Sequence, residues 1–150
     1  MVTSGVTLRV WGMYHPWRRF RVEAQWALRV AHLPRGRMGY VDWRAHAVVI
    51  DRTLLQVERR CTIAHELVHI ERGPVPADPW LGLREERAVE REAAKRLIGL
   101  DALADALAWS AWPDEVADEL WVDVQTLNAR VAGLSRSERA WLSQRLEVDL

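Results

Sequence analysis

Two histidines lie four residues apart in the stretch CTIAHELVHIERG, with a glutamate directly after the first of them. These residues are His65, Glu66 and His69. On an α-helix, side chains four residues apart lie one above the other, so both imidazoles can bind one metal ion. Glu66 lies about 100° further round the helix, where it can reach a water on that ion without binding the ion itself. The spacing therefore predicts a metal site with a carboxylate beside it.

This division of roles is the one that metal-assisted hydrolysis requires. Zinc lowers the pKa of a coordinated water towards about 7, a nearby glutamate accepts the proton, and the hydroxide attacks a carbonyl carbon. We therefore predict Zn2+ as the cofactor, His65 and His69 as ligands, and Glu66 as the general base. The same five-residue pattern also arises by chance in helices, in which case both histidines would be core or hydrogen-bonded side chains.

The residues around the pattern favour a helix with one buried side. Thr53 and Gln56 have the spacing of a capping box, and Gly73-Pro74 is a stop signal, which predicts a helix from Leu54 to about Glu71. Both histidines lie at the edge of its apolar stripe, in which we expect Cys61 to be a buried small hydrophobe and not a ligand. The stripe consists of Leu54, Val57, Cys61, Ala64 and Val68.

A catalytic zinc requires a third protein ligand and an open coordination position. The next predicted helix, Leu83 to Leu97, carries four glutamates: Glu85, Glu86, Glu90 and Glu92. On a helical wheel centred on Leu97, Glu86 and Glu90 lie within roughly 40° of the apolar face. The other two lie more than about 100° away, and should face solvent and pair with arginines of the same helix. Carboxylates on an apolar stripe are costly without a cation. We therefore predict Glu86 as the third ligand, with Glu90 as the alternative.

Length and composition predict one folded domain. The chain has 150 residues, of which 49% are hydrophobic and 28% charged, an ordinary globular mixture. We expect a single α+β domain that is mainly helical. Residues 1 to about 100 would form the catalytic core, and residues 101 to 150 a helical subregion.

Hydrophobic periodicity predicts the elements around the site. A first helix is expected from Trp17 to Ala31, and a β-hairpin from Met38–Trp43 and Ala47–Asp51. A further strand in VTLRVW, residues 6–11, would complete a small N-terminal antiparallel sheet. Four short helices follow, with Asp101, Asp123 and Ser135 as N-caps. Their predicted bounds are Asp101–Trp109, Asp114–Leu120, Asp123–Leu134 and Arg136–Glu147.

Two features predict a cytoplasmic protein. The single cysteine excludes an internal disulfide, and the first residues lack the apolar core of a secretory signal. No apolar run approaches the roughly 18 residues that cross a bilayer, so we expect no membrane partner.

Two stretches of the chain resemble the ImmA/IrrE family of zinc metallopeptidases, in particular its short actinobacterial or actinophage-like members. Glu58 to Gly73, ERRCTIAHELVHIERG, is similar to the arginine, threonine and HExxH run that follows a β-hairpin in the family. Glu86 to Gly99, ERAVEREAAKRLIG, resembles the pattern Glu-x-x-Ala-Asn/Asp-x-Phe-Ala-x-x-Leu-Leu-Met-Pro. This alignment places the ligand glutamate on Glu86. Departures from the pattern, which keep the register of the third ligand open, occur at Val89, Glu90, Glu92, Arg96 and Gly99.

The resemblance covers about residues 37 to 100. It implies a zincin-like fold for the catalytic core, residues 1 to about 100, a helix-turn-helix-like C-terminal tail, and a peptidase that acts on proteins. In the family the target is often a helix-turn-helix repressor, whose cleavage or inactivation releases stress-response, mobile-element or phage genes. We therefore expect zinc-dependent hydrolysis of peptide bonds in a transcriptional repressor. The alternative is a non-catalytic regulator that binds a repressor or DNA through its helical tail.

The tail itself, Val116 to Leu134, has the cadence of a helix-turn-helix unit. Residues 101–150 carry four arginines against ten acids, and the second helix of the unit holds only Arg130. Contacts to phosphates require more positive charge than this. We therefore expect a structural helix pair and no direct DNA binding.

Overall fold

The computed structural model describes residues 14–22 and 25–148. These residues form a mainly helical α+β arrangement, as predicted. In chain order the elements are α1 (Pro16–Val22), β1 (Ala27–Ala31), β2 (Gly39–Asp42), β3 (Ala47–Asp51), α2 (Gln56–Arg72), α3 (Pro79–Leu97), α4 (Leu100–Trp109), α5 (Pro113–Leu120), α6 (Val124–Ala132) and α7 (Arg136–Leu146). The strand predicted in residues 6–11 lies outside the described residues. None of the described helices has the length and apolar character needed to cross a membrane.

The three described strands form one sheet in the order β1-β3-β2. β2 and β3 are antiparallel, which confirms the predicted hairpin. Its turn is held by the Asp42 carboxylate, which accepts hydrogen bonds from the amides of Arg44 and Ala45 at 3.1 and 3.0 Å. β1 and β3 are parallel. The expected antiparallel sheet is therefore wrong, and the sheet is mixed.

The first helix is much shorter than the predicted span of Trp17 to Ala31. α1 ends at Val22, and Ala27–Ala31 form a strand. Hydrogen bonds to residues later in the chain hold both ends of this strand. The Ala27 amide donates to the His46 carbonyl at 2.9 Å, and the Ala31 carbonyl accepts from Arg52 at 2.8 Å. Pairing with the buried strand β3 thus overrides the helical spacing of the alanines and leucine, because strand propensity depends on tertiary context.

The start of α2 differs from the prediction in its cap. The amide of Leu55 donates to the Glu58 carboxylate at 2.7 Å, which satisfies one unpaired group at the helix start. The Thr53 hydroxyl instead donates to Asp51 at 2.9 Å. The capping box predicted for Thr53 with Gln56 is therefore wrong, and the helix begins at Gln56.

The loop between α2 and α3 lets the two helices lie side by side. Gly73, with a φ of 96°, ends α2 as predicted. Asp78 then accepts a hydrogen bond from the Leu81 amide at 2.8 Å, and Pro79 occupies the first helical position. This cap explains why α3 begins at Pro79 and not at the predicted Leu83.

The four C-terminal helices agree with the predicted spans to within two residues at each end. Asp123 caps α6 by accepting from the Thr126 amide at 2.7 Å, as predicted. Ser135 and Glu138 form the predicted capping box of α7. Asp101 does not cap α4, whose N-cap is Gly99.

α2 is buried on two sides, which places it at the centre of the molecule. One apolar cluster fills the space between α2, α1 and the sheet, and consists of Phe20, Val48, Ile50, Leu54, Ile63 and Leu67. The other joins α2 to α3 and to the four C-terminal helices, through residues such as Cys61, Val68, Val89, Leu97, Leu103, Leu120, Leu127 and Leu142. The predicted site residues therefore project from a helix that the core holds from both sides.

Arg60 ties the start of α2 to distant parts of the chain. Its side chain is fully buried, and it donates to the carbonyls of Trp121 at 2.7 Å, Tyr14 at 3.3 Å and Leu97 at 3.5 Å. Burial lowers the pKa of this guanidinium from its usual value. Three carbonyl acceptors replace much of the water that the charge has lost, so the first turns of α2 are fixed to the end of α3 and to the turn between α5 and α6.

Candidate metal centre

The structure brings His65, His69 and Glu86 together as a group that could hold a metal ion. The two histidines project from α2 one turn apart, and Glu86 projects towards them from α3. The Nε2 atoms of the histidines lie 3.1 Å apart. Glu86 Oε2 lies 3.4 Å from His65 Nε2, and Glu86 Oε1 lies 3.2 Å from His69 Nε2.

These distances fit a tetrahedral metal ion. Zinc binds nitrogen and oxygen ligands at about 2.0–2.2 Å, which spaces neighbouring ligand atoms roughly 3.3 Å apart. Hydrogen bonds alone explain the arrangement less well. If both Nε2 atoms carried protons to donate to Glu86, the two N–H groups would face each other at 3.1 Å. A cation bound by both Nε2 atoms and by the Glu86 carboxylate satisfies all three side chains at once.

The three side chains leave the group open on one side. The His69 side chain is 9% exposed, whereas those of His65 and Glu86 are 26% and 42% exposed. Burial, reinforced by a charge on His69, lowers the pKa of His65 below its usual range, although Glu86 opposes the shift. A lowered pKa favours the neutral imidazole, which is the form that binds metals.

Glu66 lies beside this group and is buried, with 6% of its surface exposed. Burial, and to a smaller extent the charge of Glu86, raises the pKa of Glu66 to about 8. Arg37 opposes this shift, and a divalent cation held by the three ligands would oppose it further. Glu66 is therefore a buried carboxylate whose pKa lies above that of an ordinary glutamate, which suits a group that accepts and returns a proton.

Gly39, the first residue of β2, allows the sheet to approach α2 at this point. A Cβ on Gly39 would lie 2.6 Å from Thr62 Cγ2, 3.0 Å from the Val49 carbonyl and 3.4 Å from Glu66 Oε1. Real Cβ atoms do not come this close to other atoms, so a larger residue would displace the strand or the helix. The absence of a side chain at Gly39 thus lets β2 lie against the Glu66 carboxylate.

Two cavities meet at the metal centre. A cavity of about 290 Å³ extends between α2, α3, the start of α6 and the 36–39 loop. A second cavity, of about 430 Å³, lies beside β2 and the loop after α2, where Tyr40, Val41, Pro74 and Val75 line it. Both cavities are lined by His65, Glu66 and Glu86. The candidate centre therefore lies within a cleft that continues in two directions.

Glu90 is not part of the metal group, although it lines the first cavity. It lies one turn beyond Glu86 on α3, about 6 Å further along the helix axis. Cys61 is buried, as predicted, and also lies outside the group. Of the two carboxylates that the sequence left open, Glu86 is the one within reach of both histidines.

The other two glutamates of α3 form ion pairs, and one of them differs from the prediction. Glu85 binds Arg72 of α2 and not an arginine of its own helix, with Oε2 2.9 Å from Arg72 Nη2, and its side chain is 21% exposed. Glu92, whose side chain is 42% exposed, accepts from Arg96 of its own helix at 2.8 Å, as predicted. The same Arg96 also contacts Glu71 of α2 at 2.7 Å. The pairs Arg72–Glu85 and Glu71–Arg96 join the two ligand-bearing helices.

Two charged residues of the cleft were not assigned to the site from the sequence, although Asp123 was predicted as a helix cap. Arg37 lines both cavities from the loop before β2, with its guanidinium 4.4 Å from the centre of the Tyr40 ring. Asp123, the N-cap of α6, lines the first cavity. Long-range packing brings these residues to the site, and no local pattern marks their position.

α6 contributes to the cleft and not to a free basic surface. Its first half lines the first cavity through Gln125, Thr126 and Ala129. Arg130 is buried, donates to the Ile98 carbonyl at 2.9 Å and pairs with Glu138 at 2.8 Å. The one arginine of this helix is therefore unavailable to a phosphate group.

Comparisons of the chain with profiles of known protein families, with curated proteins and with solved structures found no match.

Proposed function

We propose that the chain is a zinc-dependent endopeptidase that cleaves a regulatory protein. The observation that carries this proposal is the convergence of His65, His69 and Glu86 in an open cleft with the Glu66 carboxylate beside them. Two imidazoles and one carboxylate are a donor set that catalytic zinc sites use. Zinc bound to such a set supplies Lewis acidity, which makes a water more acidic and a carbonyl more electrophilic.

Glu66 is the general base in this proposal. Its carboxylate accepts a proton from the attacking water and passes it to the amine that leaves when the peptide bond breaks. Both transfers need a group whose pKa lies near the working pH, and burial moves Glu66 from the range of an ordinary glutamate towards that value. Its position between β2 and the metal group keeps it facing the cleft.

The shape of the cleft supports cleavage within a chain. Because the two cavities meet at the metal centre, residues on both sides of a scissile bond have space. Among the described strands, β2 lies at the edge of the sheet with one neighbour, β3. An extended peptide can pair with such an edge through its backbone, which would align it along the cleft.

The proposed target is a transcriptional repressor, on the strength of the resemblance to the ImmA/IrrE family. The buried and paired Arg130 supports a role in which the helical tail forms a wall of the cleft. It does not favour contact of α6 with DNA phosphates. A partner protein is the better fit to a cleft of this kind.

The proposal is tested by capture and cleavage. Glu66→Gln keeps the size of the side chain and the three ligands but removes the base, so the variant should bind the target without cutting it. Proteins held by Glu66→Gln from the native host are identified, purified and incubated with the zinc-loaded wild type. We expect cleavage at a defined bond by the wild type and none by Glu66→Gln.

Two results would count against the proposal. Captured proteins that stay intact with the zinc-loaded wild type would point to a non-catalytic regulator. Cleavage by Glu66→Gln at the wild-type rate would remove Glu66 from its assigned role. Zinc content is measured in both proteins, so that loss of the metal is not mistaken for loss of the base.

A further inference from the structure

The first cavity has the form of a pocket for one side chain. It is lined by α3 residues from Glu86 to Leu97 and by the first half of α6. Its volume of about 290 Å³ is at the lower end of small-ligand sites. The lining beyond the metal centre is largely small or apolar, and comprises Cys61, Thr62, Ala93, Ala94, Leu97 and Ala129. A long methylene stem would be well accommodated between these residues.

Two carboxylates that have no part in the metal group also line this pocket. Glu90 lies on α3 and Asp123 at the start of α6. Glu90 is half-buried and has no hydrogen bond or ion pair within the described part of the chain. A carboxylate that has lost part of its water without gaining a partner is costly. A cation entering the pocket would remove this cost.

The charge of the cleft favours a cation as well. Apart from the metal group and Glu66, the charged residues that line the cavity are two acids, Glu90 and Asp123, and one arginine, Arg37. The two acids lie on α3 and at the start of α6, whereas Arg37 lies on the loop before β2. The side of the pocket formed by α3 and α6 thus carries the negative charge.

The distance between Glu86 and Glu90 along α3 also suits a basic side chain of the substrate. Glu90 lies one turn, or about 6 Å, beyond Glu86. A lysine or arginine beside the scissile bond can span this distance with its methylene stem and place its charged end at Glu90. An apolar side chain would fill the same part of the pocket, but it would leave the Glu90 carboxylate without water or a partner.

Resting on the proposed peptidase function, we propose that this pocket selects substrates with a lysine or arginine adjacent to the cleaved bond, with Glu90 and Asp123 as the specificity residues. Glu90 lies one turn beyond Glu86 on α3. Asp123 closes the pocket from α6.

The test uses quenched fluorescent peptide pools that differ in the residues allowed at each position: lysine and arginine, leucine and phenylalanine, or aspartate and glutamate. The zinc-loaded wild type should show a kcat/KM for the basic pool about tenfold higher than for the other pools.

Glu90→Gln should lose most of this preference, and Glu90→Lys should transfer it to the acidic pool. Asp123→Asn, which retains a good helix cap, should reduce the preference without unfolding α6. Glu119→Gln, an exposed carboxylate on α5, is the matched control and should behave as the wild type.

A binding measurement separates this inference from the peptidase function. Labelled basic, apolar and acidic peptides are titrated with Glu66→Gln and with the Glu66→Gln, Glu90→Gln double variant, and fluorescence anisotropy is recorded. Tighter binding of basic peptides that depends on Glu90 supports the pocket, whether or not any peptide is cleaved. A lack of cleavage would refute only the peptidase function. Cleavage without a basic preference, or with one that Glu90→Gln leaves unchanged, refutes the pocket and leaves the peptidase standing. A preference of the wild type for acidic peptides would assign recognition to Arg37 and refute the inference.

Discussion

Glu86 is the site residue on which the arrangement of helices matters most, because it is the one member of the metal group outside α2. The spacing within HELVH places two imidazoles on one face of a helix whatever surrounds that helix. The third group reaches them only because α3 lies beside α2 in one particular register. Two ion pairs, Arg72 with Glu85 and Glu71 with Arg96, join the helices in this register.

Substitution of the two candidate carboxylates distinguishes ligand from neighbour. Glu86→Gln removes one negative ligand and should weaken zinc binding by at least about tenfold. Glu90→Gln changes a carboxylate that lies outside the group and should leave zinc affinity within about twofold. Competition with a chromophoric chelator measures both. The reverse order of effects would make Glu90 the third ligand.

Gly39 should be intolerant of any side chain because β2 lies so close to α2. Gly39→Ala places a methyl 2.6 Å from Thr62 Cγ2, and overpacking of this kind costs about 1–3 kcal/mol. Thr62→Ser removes the opposing methyl, so the alanine should cost less in that background. Urea unfolding of the four proteins of this double-mutant cycle measures the coupling. Strictly additive losses would show that the contact with Thr62 is not what excludes the side chain.

At the scale of elements, local signals in the sequence predict the helices well where a cap or a stop residue is present. Asp123, Ser135 and Gly73 mark the ends of helices correctly because each side chain or backbone conformation acts on its own segment. The pattern of Ala27–Ala31 fails for the opposite reason. Its alanines and leucine suit a helix or a strand, and the choice is made by pairing with β3, which lies sixteen or more residues further along the chain.

The residues of the candidate site also divide into those that local spacing predicts and those that long-range packing places. His65, Glu66 and His69 could be assigned from spacing within one helix, and Glu86 from the wheel of a second. Arg37, Asp123 and the close approach of Gly39 depend on how the sheet and α6 pack against those helices. Such contacts join distant segments, and no periodicity in the sequence encodes them.

The pairing of α6 with α7 should make stability depend on pH. A hydrogen bond from the buried Arg130, supported by the Ser135 amide, lowers the pKa of Glu138 to about 2. An unfolded glutamate titrates near about 4.3, so the stabilisation is fully present above that pH and is lost as pH falls towards about 2. Glu138→Gln should lower the free energy of unfolding by about 1–3 kcal/mol at pH 7 and by progressively less below pH 4.5.

Urea unfolding of the wild type and Glu138→Gln at pH 7, 4.5 and 3 measures this difference. Glu119→Gln, which changes an exposed carboxylate on α5, is the control and should have little effect at any of these pH values. A difference between wild type and Glu138→Gln that does not change with pH would mean that the ion pair with Arg130 contributes nothing.

At the scale of the whole molecule, one apolar cluster joins the ligand-bearing helices to the C-terminal ones. Cys61 and Val68 of α2 belong to the same buried cluster as Leu127 of α6 and Leu142 of α7. Residues of this cluster lose their partners if either half of the chain is removed. The cleft is also shared, because α6 forms one of its walls.

We therefore expect the chain to unfold in a single cooperative transition. Tryptophan fluorescence and far-ultraviolet circular dichroism should give coincident urea curves. A protein truncated after residue 100 should lack cooperative unfolding, since it exposes the face of α3 that contacts α6. Two separate transitions in the full chain would instead show that residues 101–150 form an independent unit.

Binding of a zinc ion by His65, His69 and Glu86 can be seen by anomalous diffraction at the zinc edge from crystals of the zinc-loaded protein. We expect one strong peak per chain, within about 2.0–2.2 Å of both Nε2 atoms and of a Glu86 oxygen. We also expect the Glu66 carboxylate to lie beside the peak without binding the ion. A crystal with zinc bound only elsewhere, or with Glu66 or Glu90 in place of Glu86, would contradict this expectation.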